Sequence, residues 1–258
     1  MSEINQLDLA FVVDTTGSMG GLIEAAQRRM IEMVSVLAKA VDVDVRLAVV
    51  EYRDHPPQDS MIFRVHPFTG DLPRAREYVE SLRAEGGGDE PEAVFAGIAA
   101  ACRELSWRPH ARRMAMLVGD APPHGVGCPG DAFARGCPSG ETIESVSAKA
   151  EQAGVTLHAL GLRPHCFASF ERIARLTGGR FYREGHDGEA MDEIQQILDS
   201  EFGQLSFDRQ VYEAWEAMAD PGIEPIAEQL GTTPPKVASA VCRLQSRGLL
   251  LPESPRVP

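Results

Sequence analysis

At 258 residues the chain is long enough for one large domain, or for one of about 200 residues with a small module attached. Its 38 acidic residues against 25 basic ones give −13 at pH 7, which argues against broad nonspecific binding to nucleic acid or to an anionic membrane. The 43% apolar content is enough for a core, yet no apolar run reaches the roughly 20 residues of a membrane helix. No secretory signal opens the chain, and the five cysteines are odd in number and scattered, so a reduced, cytoplasmic protein is expected.

Strand and helix signals alternate along the chain. Residues 7–13 read as a buried strand, and Leu22, Ile23, Ala26, Met30, Met33, Val34 and Leu37 share one face of the helix that follows. Residues 43–52 alternate as a strand and 62–65 suit a short edge strand. Helices are expected over 72–83 and over 91–105, the second with Pro91 in its first turn. A buried strand at 114–118 precedes a helix at 141–153, stopped by Gly154. A strand at 155–160, a helix at 167–176, a short strand at 181–182 and a helix at 189–202 complete the pattern. Such alternation predicts an α/β fold: a Rossmann-like, doubly wound, mainly parallel sheet flanked by helices.

The pattern changes around residues 204–208. Short helices are expected at 211–218, 223–230 and 235–248, with Thr233 as N-cap and Pro234 in the first turn of the third. This is a helix-turn-helix or winged-helix-like plan, with Leu249-Leu250-Leu251 as a rudimentary wing. The expected organisation is therefore 1–204, 205–252 and a flexible tail over 253–258.

Three acidic loops carry the chemistry. Asp14-Thr15-Thr16-Gly17-Ser18 follows the first strand, Asp89 lies in the loop Gly86-Gly87-Gly88-Asp89-Glu90-Pro91-Glu92, and Asp120 follows the fourth strand. In an open sheet of order 3-2-1-4-5-6 the crevice opens between strands 1 and 4, so Asp14 and Asp120 should face each other across it. Hard oxygen ligands there suit Mg²⁺, or Mn²⁺ or Ca²⁺. A helix cap is the plain alternative for Asp14, Thr16 and Ser18 taken alone. Enzyme signatures are missing: no G-x-x-x-x-G-K-S/T loop, no Cys-x-x-Cys pair, and a threonine at position 16 where an aspartyl phosphotransferase often wants a second acid.

With these residues in place the chain resembles a von Willebrand factor A domain carrying a metal-ion-dependent adhesion site. Asp14, Thr16 and Ser18 match the family's D-x-S/T-x-S loop and Asp120 its third loop, with the resemblance running over residues 5–204. Tyr52-Arg53-Asp54-His55, residues 86–92 and Gly119-Asp120-Ala121-Pro122-Pro123-His124-Gly125 point toward alpha-kinase-associated A domains and related bacterial proteins. The resemblance implies a non-catalytic module that binds a protein partner through a metal held by Asp14, Thr16, Ser18, Asp89 and Asp120. Partners such as an AAA+ ATPase or a kinase in a multi-component system follow from the same resemblance, with no membrane and no small-molecule substrate. Asp89 stands where many relatives have threonine, so three formal negative charges would surround one divalent ion and weaken its pull on a partner carboxylate.

Tyr52, Arg53, Asp54, His55 and His124 are expected at a partner-facing rim, though Arg53 and Asp54 could equally pair with each other or cap a turn. His124, Cys128 and Cys137 could hold a soft metal such as zinc, against the plainer reading of a surface loop. Lys236, Arg243 and Arg247 form a candidate nucleic-acid face on the last helix, but residues 205–258 hold five basic and seven acidic residues, so a solvated packing face is favoured. The rival functions are a ligand-sensing transcriptional regulator and a metal-dependent hydrolase using His124 or His55 as base.

Overall fold

Strand β1 (Gln6–Asp14) is the hub of the structure, a computed structural model that describes residues 3–37, 43–183, 189–218 and 222–250. It pairs in parallel with β2 (Asp44–Tyr52) on one side and with β4 (Arg112–Gly119) on the other. The edge strand β3 (Phe63–Thr69) is antiparallel to β2, while β5 (Val155–Gly161) and β6 (Phe181–Arg183) extend the parallel set beyond β4. The six-stranded order is β3-β2-β1-β4-β5-β6, so the sequence reverses direction at β1 and β4, as expected.

Both faces of the sheet are covered, which is why its strands are apolar almost throughout. Along β1 the side chains alternate between two cores. Leu7, Leu9, Phe11 and Val13 pack with α1 (Ile23–Leu37), α2 (Leu72–Glu80) and Leu198 and Leu205 of α6 (Glu189–Met218). Ala10 and Val12 face α3 (Val94–Glu104), α4 (Ile143–Gln152) and α5 (Pro164–Leu176). Asp71 caps α2 through the Arg74 N–H, and Thr142 with Ser145 forms a reciprocal cap on α4.

The last part of the chain differs from expectation. Instead of a helix ending at 202 and another starting at 211, α6 runs unbroken as 30 residues. The expected boundary after residue 204 falls inside it. Asp208, at the point where the sequence pattern changes, is buried within the helix and ion-paired to Arg243 at 2.6 Å, with Arg247 3.8 Å away. Neutralised from the side, the carboxylate need not end the helix. Val211 and Ala214 then build a third core with α7 (Ile223–Gln229), α8 (Pro234–Ser246), Ile4 and Leu250. The helix-turn-helix pair is present as α7 and α8; Leu251 of the expected wing and the tail over 253–258 lie outside the described residues. No helix among the described residues is long and apolar enough to cross a membrane, and all five cysteines are free thiols.

Candidate metal centre

The parallel strands end together, and the loops leaving β1, β2 and β4 are laced by backbone hydrogen bonds. Thr15 N–H donates to Tyr52 C=O (3.0 Å), Gly17 N–H to Gly86 C=O (3.0 Å) and Glu85 N–H to Thr15 C=O (3.0 Å). Asp14 is therefore set on rigid backbone. Its Oδ1 accepts from the Thr16 amide (2.9 Å) and the Thr16 hydroxyl (2.6 Å). The Thr16 and Ser18 hydroxyls stand 3.2 Å apart, and Ser18 Oγ donates to Asp120 Oδ1 at 2.9 Å. The four side chains expected from loops one and three thus form one unbroken chain of oxygens across the β1–β4 crevice.

Asp14 Oδ2 is buried and has no partner. The Tyr52 hydroxyl lies close enough to lower the Asp14 pKa slightly, yet it too lacks a partner at hydrogen-bond geometry. Burial outweighs the lowering effect of the Thr16 hydrogen bonds and, with a smaller contribution from the Asp120 charge, raises the Asp14 carboxyl to about 7. Glu92 is also buried, its Oε2 has no partner, and burial reinforced by Asp14 and Asp54 holds its carboxyl well above the ordinary value. Two buried carboxyls with orphaned oxygens, beside a pair of hydroxyls, fit a hard divalent cation: such an ion satisfies the oxygens and removes their mutual repulsion. Arg163 is a further neighbour, its Nε 3.4 Å from Asp120 Oδ2.

Glu92 was not among the expected ligands, because Pro91 suits the first turn of a helix that would have taken Glu92 with it. The helix begins three residues later, at Val94. The freed segment is pinned instead to the loops around it: Glu92 N–H donates to Pro122 C=O (2.9 Å) and Ala93 N–H to Arg53 C=O (2.8 Å). A third acid in Asp89-Glu90-Pro91-Glu92, directly after the proline, was the available signal.

Asp89 is placed differently from the expected five-residue set. Its Oδ2 accepts the Ala132 N–H at 2.8 Å, and among the described residues it groups with Asp54 and His124, whose ligand atoms all lie within 4.8 Å of one another. The expected rim is largely interior. Tyr52, Asp54, His55 and His124 are all buried, and only Arg53 keeps a narrow edge to solvent. Tyr52 is buried because it ends a central strand beneath α3, against Gly97 and Gly119. Arg53 pairs with Glu85 (3.3 Å) rather than with Asp54. His124 is held between Asp54 (2.7 Å) and Asp131 (2.9 Å), and these hydrogen bonds outweigh the lowering effect of burial and raise its pKa. Cys137 contacts His55 Nε2 at 3.2 Å while Cys128 Sγ turns to Pro129 C=O, so His124, Cys128 and Cys137 do not converge.

The candidate nucleic-acid face is also corrected. Arg243 is committed to Asp208, and Arg247 is buried, donating to Ile4 C=O (2.6 Å) and His110 C=O (2.9 Å). Of the three, only Lys236 stays exposed.

An open, doubly wound sheet with carboxylate and hydroxyl oxygens gathered at its switch point defines an α/β module with a candidate metal centre. Residues 8–123 match the family model of the von Willebrand factor A domain. The alpha-protein kinase vwkA of Dictyostelium discoideum is 29% identical over 143 residues, covering 54% of this chain and 23% of the kinase. A putative ariadne-like RING finger protein of Acanthamoeba polyphaga mimivirus is 33% identical over 129 residues, 50% of this chain and 12% of that protein. The chain thus spans under a quarter of these relatives. Similar folds include the conserved hypothetical protein BatB of Bacteroides thetaiotaomicron (TM-score 0.53, 16% identity, 77% of this chain and 99% of that one). Proximal thread matrix protein 1 of the mussel byssus, with a zinc-occupied adhesion motif, superposes with TM-score 0.54 at 15% identity, over 77% of this chain and 45% of its own.

Proposed function

We propose that this chain is a non-catalytic, divalent-metal-dependent protein-binding module, acting as an adaptor or scaffold in a multi-component intracellular system. The observation that carries the reading is the chain of oxygens from Asp14 through Thr16 and Ser18 to Asp120, with Asp14 Oδ2 buried and unpartnered. Asp14, Ser18 and Asp120 would hold the ion directly, with Thr16 orienting Asp14 and Glu92 alongside. When bound, Mg²⁺ supplies an open coordination position for an oxygen of the partner protein. Thr16 fixes one Asp14 oxygen and leaves the other free, and Ser18 ties the first loop to the third, so the residues are set before an ion arrives. Glu92 and Asp120 add negative charge, which favours a partner oxygen less acidic than a carboxylate.

A hydrolase reading loses support because its candidate bases are engaged, His124 by Asp54 and Asp131 and His55 by Cys137. A DNA-binding reading loses support because Arg243 and Arg247 are spent on internal pairs. The helices after residue 204 are read instead as a packing or protein-interaction module. A kinase or an AAA+ ATPase, the partners the family resemblance suggests, is the first to test. The experiment is capture from the source lysate with Mg²⁺, with chelator, and with Asp14→Ala. Proteins retained only by the wild type with Mg²⁺ are the expected result; the same catch under all three conditions refutes the reading.

A further inference from the structure

A second group of potential ligands lies at the same end of the sheet, contributed by the loop after β2 and by the two loops that also carry Glu92 and Asp120. Asp54, just after β2, is fully buried. Its Oδ1 accepts the His55 amide (2.6 Å) and faces His124 Nε2 (2.7 Å), whereas its Oδ2 has no partner. Asp89 gives one oxygen to the Ala132 amide and keeps the other, Oδ1, buried and unpartnered. His124, in the loop after β4, completes the group, and one ligand atom from each residue lies within 4.8 Å of the others.

The orientation of His124 is imposed from behind. Its Nδ1 is 2.9 Å from Asp131 Oδ1, and the Asp131 carboxylate is itself fixed by the amides of Gly125 (2.8 Å) and Phe133 (2.7 Å). A carboxylate so anchored accepts the Nδ1 proton and turns Nε2 toward the two aspartates. That is the carboxylate–histidine–metal arrangement by which proteins set the tautomer and basicity of a ligating imidazole. A simple histidine–aspartate pair accounts for Asp54 Oδ1 and Asp131 but leaves Asp54 Oδ2 and Asp89 Oδ1 buried without partners. A cation at the centre accounts for all of them.

We propose that Asp54, Asp89 and His124 form a second metal site, separate from the Asp14–Ser18–Asp120 site, and that Asp131 is its positioning residue. One imidazole nitrogen with two carboxylate oxygens selects a first-row transition ion, Zn²⁺ or Mn²⁺, over Mg²⁺, which takes oxygen ligands almost alone. Ligand atoms about 2.1 Å from a tetrahedral zinc stand about 3.4 Å apart, so the observed spacing needs only side-chain adjustment. A cavity of about 820 Å³ on one side of the group is lined in part by His124, Gly125, Cys128 and Cys137.

The test uses the full chain, stripped of metal and dialysed against Zn²⁺ or Mn²⁺ with excess Mg²⁺ to fill the first site. Bound metal is counted by mass spectrometry, and Co²⁺ is added in parallel to read nitrogen ligation from its visible absorption. The wild type and Asp120→Ala should each retain a single equivalent of Zn²⁺ or Mn²⁺ with the Co²⁺ band, His124→Gln should lose both, and Asp131→Asn should bind about 10–100-fold more weakly. Retention that disappears in Asp120→Ala but persists in His124→Gln overturns the proposal, as does a wild type that retains neither ion. Should His124→Gln fail to fold by circular dichroism, Asp131→Asn decides: unchanged affinity counts against the site.

Discussion

Gly119 offers a sharp test of how the metal loops are supported. A Cβ built there would lie 2.5 Å from Tyr52 Oη, 3.2 Å from Asp14 Cβ and 3.3 Å from Phe170 Cζ. Its backbone is not in the left-handed region, so Gly119→Ala acts through crowding alone. The Tyr52 ring cannot retreat easily, because a Cβ at Gly97 would already come within 2.8 Å of its Cδ1 and the helix backbone closes that side. Overpacking of this kind costs about 1–3 kcal/mol, which for a chain of this size lowers Tm by roughly 2–12 °C. The strain falls on Asp14, so Mg²⁺ affinity should fall with stability. Tyr52→Phe alone should be nearly neutral, since the hydroxyl it removes is buried and unpartnered. In the double variant the 2.5 Å clash is gone and most of the lost stability should return. Urea denaturation of the four proteins, with Mg²⁺ titration by calorimetry, measures the cycle. A double variant as unstable as Gly119→Ala would refute the placement of the Tyr52 hydroxyl, and with it the proposed support of Asp14.

Other outcomes follow from the same geometry. Because burial raises the Asp14 and Glu92 carboxyls in the folded protein, the metal-free fold binds protons more tightly than the unfolded chain. Their contribution is fully present below the ordinary carboxylate range near pH 4 and is lost as pH rises through about 7 for Asp14. Stabilisation by Mg²⁺, about 2.7 kcal/mol at a hundredfold excess over Kd, should therefore be largest above neutrality and fade toward pH 5; melting curves with an equal metal shift at both ends would contradict this. Asp8→Ala should cost about 2–4 kcal/mol, just under the range for a fully buried pair: it strands Arg46 and Arg108, which both bond to the buried carboxylate. It lies at the opposite end of β1, so Mg²⁺ affinity should not change. Arg247→Ala should cost about 1–3 kcal/mol by leaving the Ile4 and His110 carbonyls without their buried donor, Asp208 keeping Arg243; no measurable loss by denaturant titration would show that those two bonds are not formed.

Much of the fold was legible because its signals are local. Strand alternation and helical stripes need only neighbours within a turn or two, and from them came the sheet order, the switch point between β1 and β4, and the meeting of Asp14 with Asp120. The loop motif determined the hard-oxygen chemistry, since residue type alone decides what a ligand can be. What the tertiary structure decided was company. Gly86 and Gly87, both at positive φ, redirect the second acidic loop, so that Glu92 turns toward Asp14 while Asp89 joins Asp54 and His124. Charge on the last helix read as surface, but Asp208, thirty-five residues before Arg243, draws it inward. Partners brought from distant segments set whether a charged side chain is buried or exposed, and no local period in the chain encodes them.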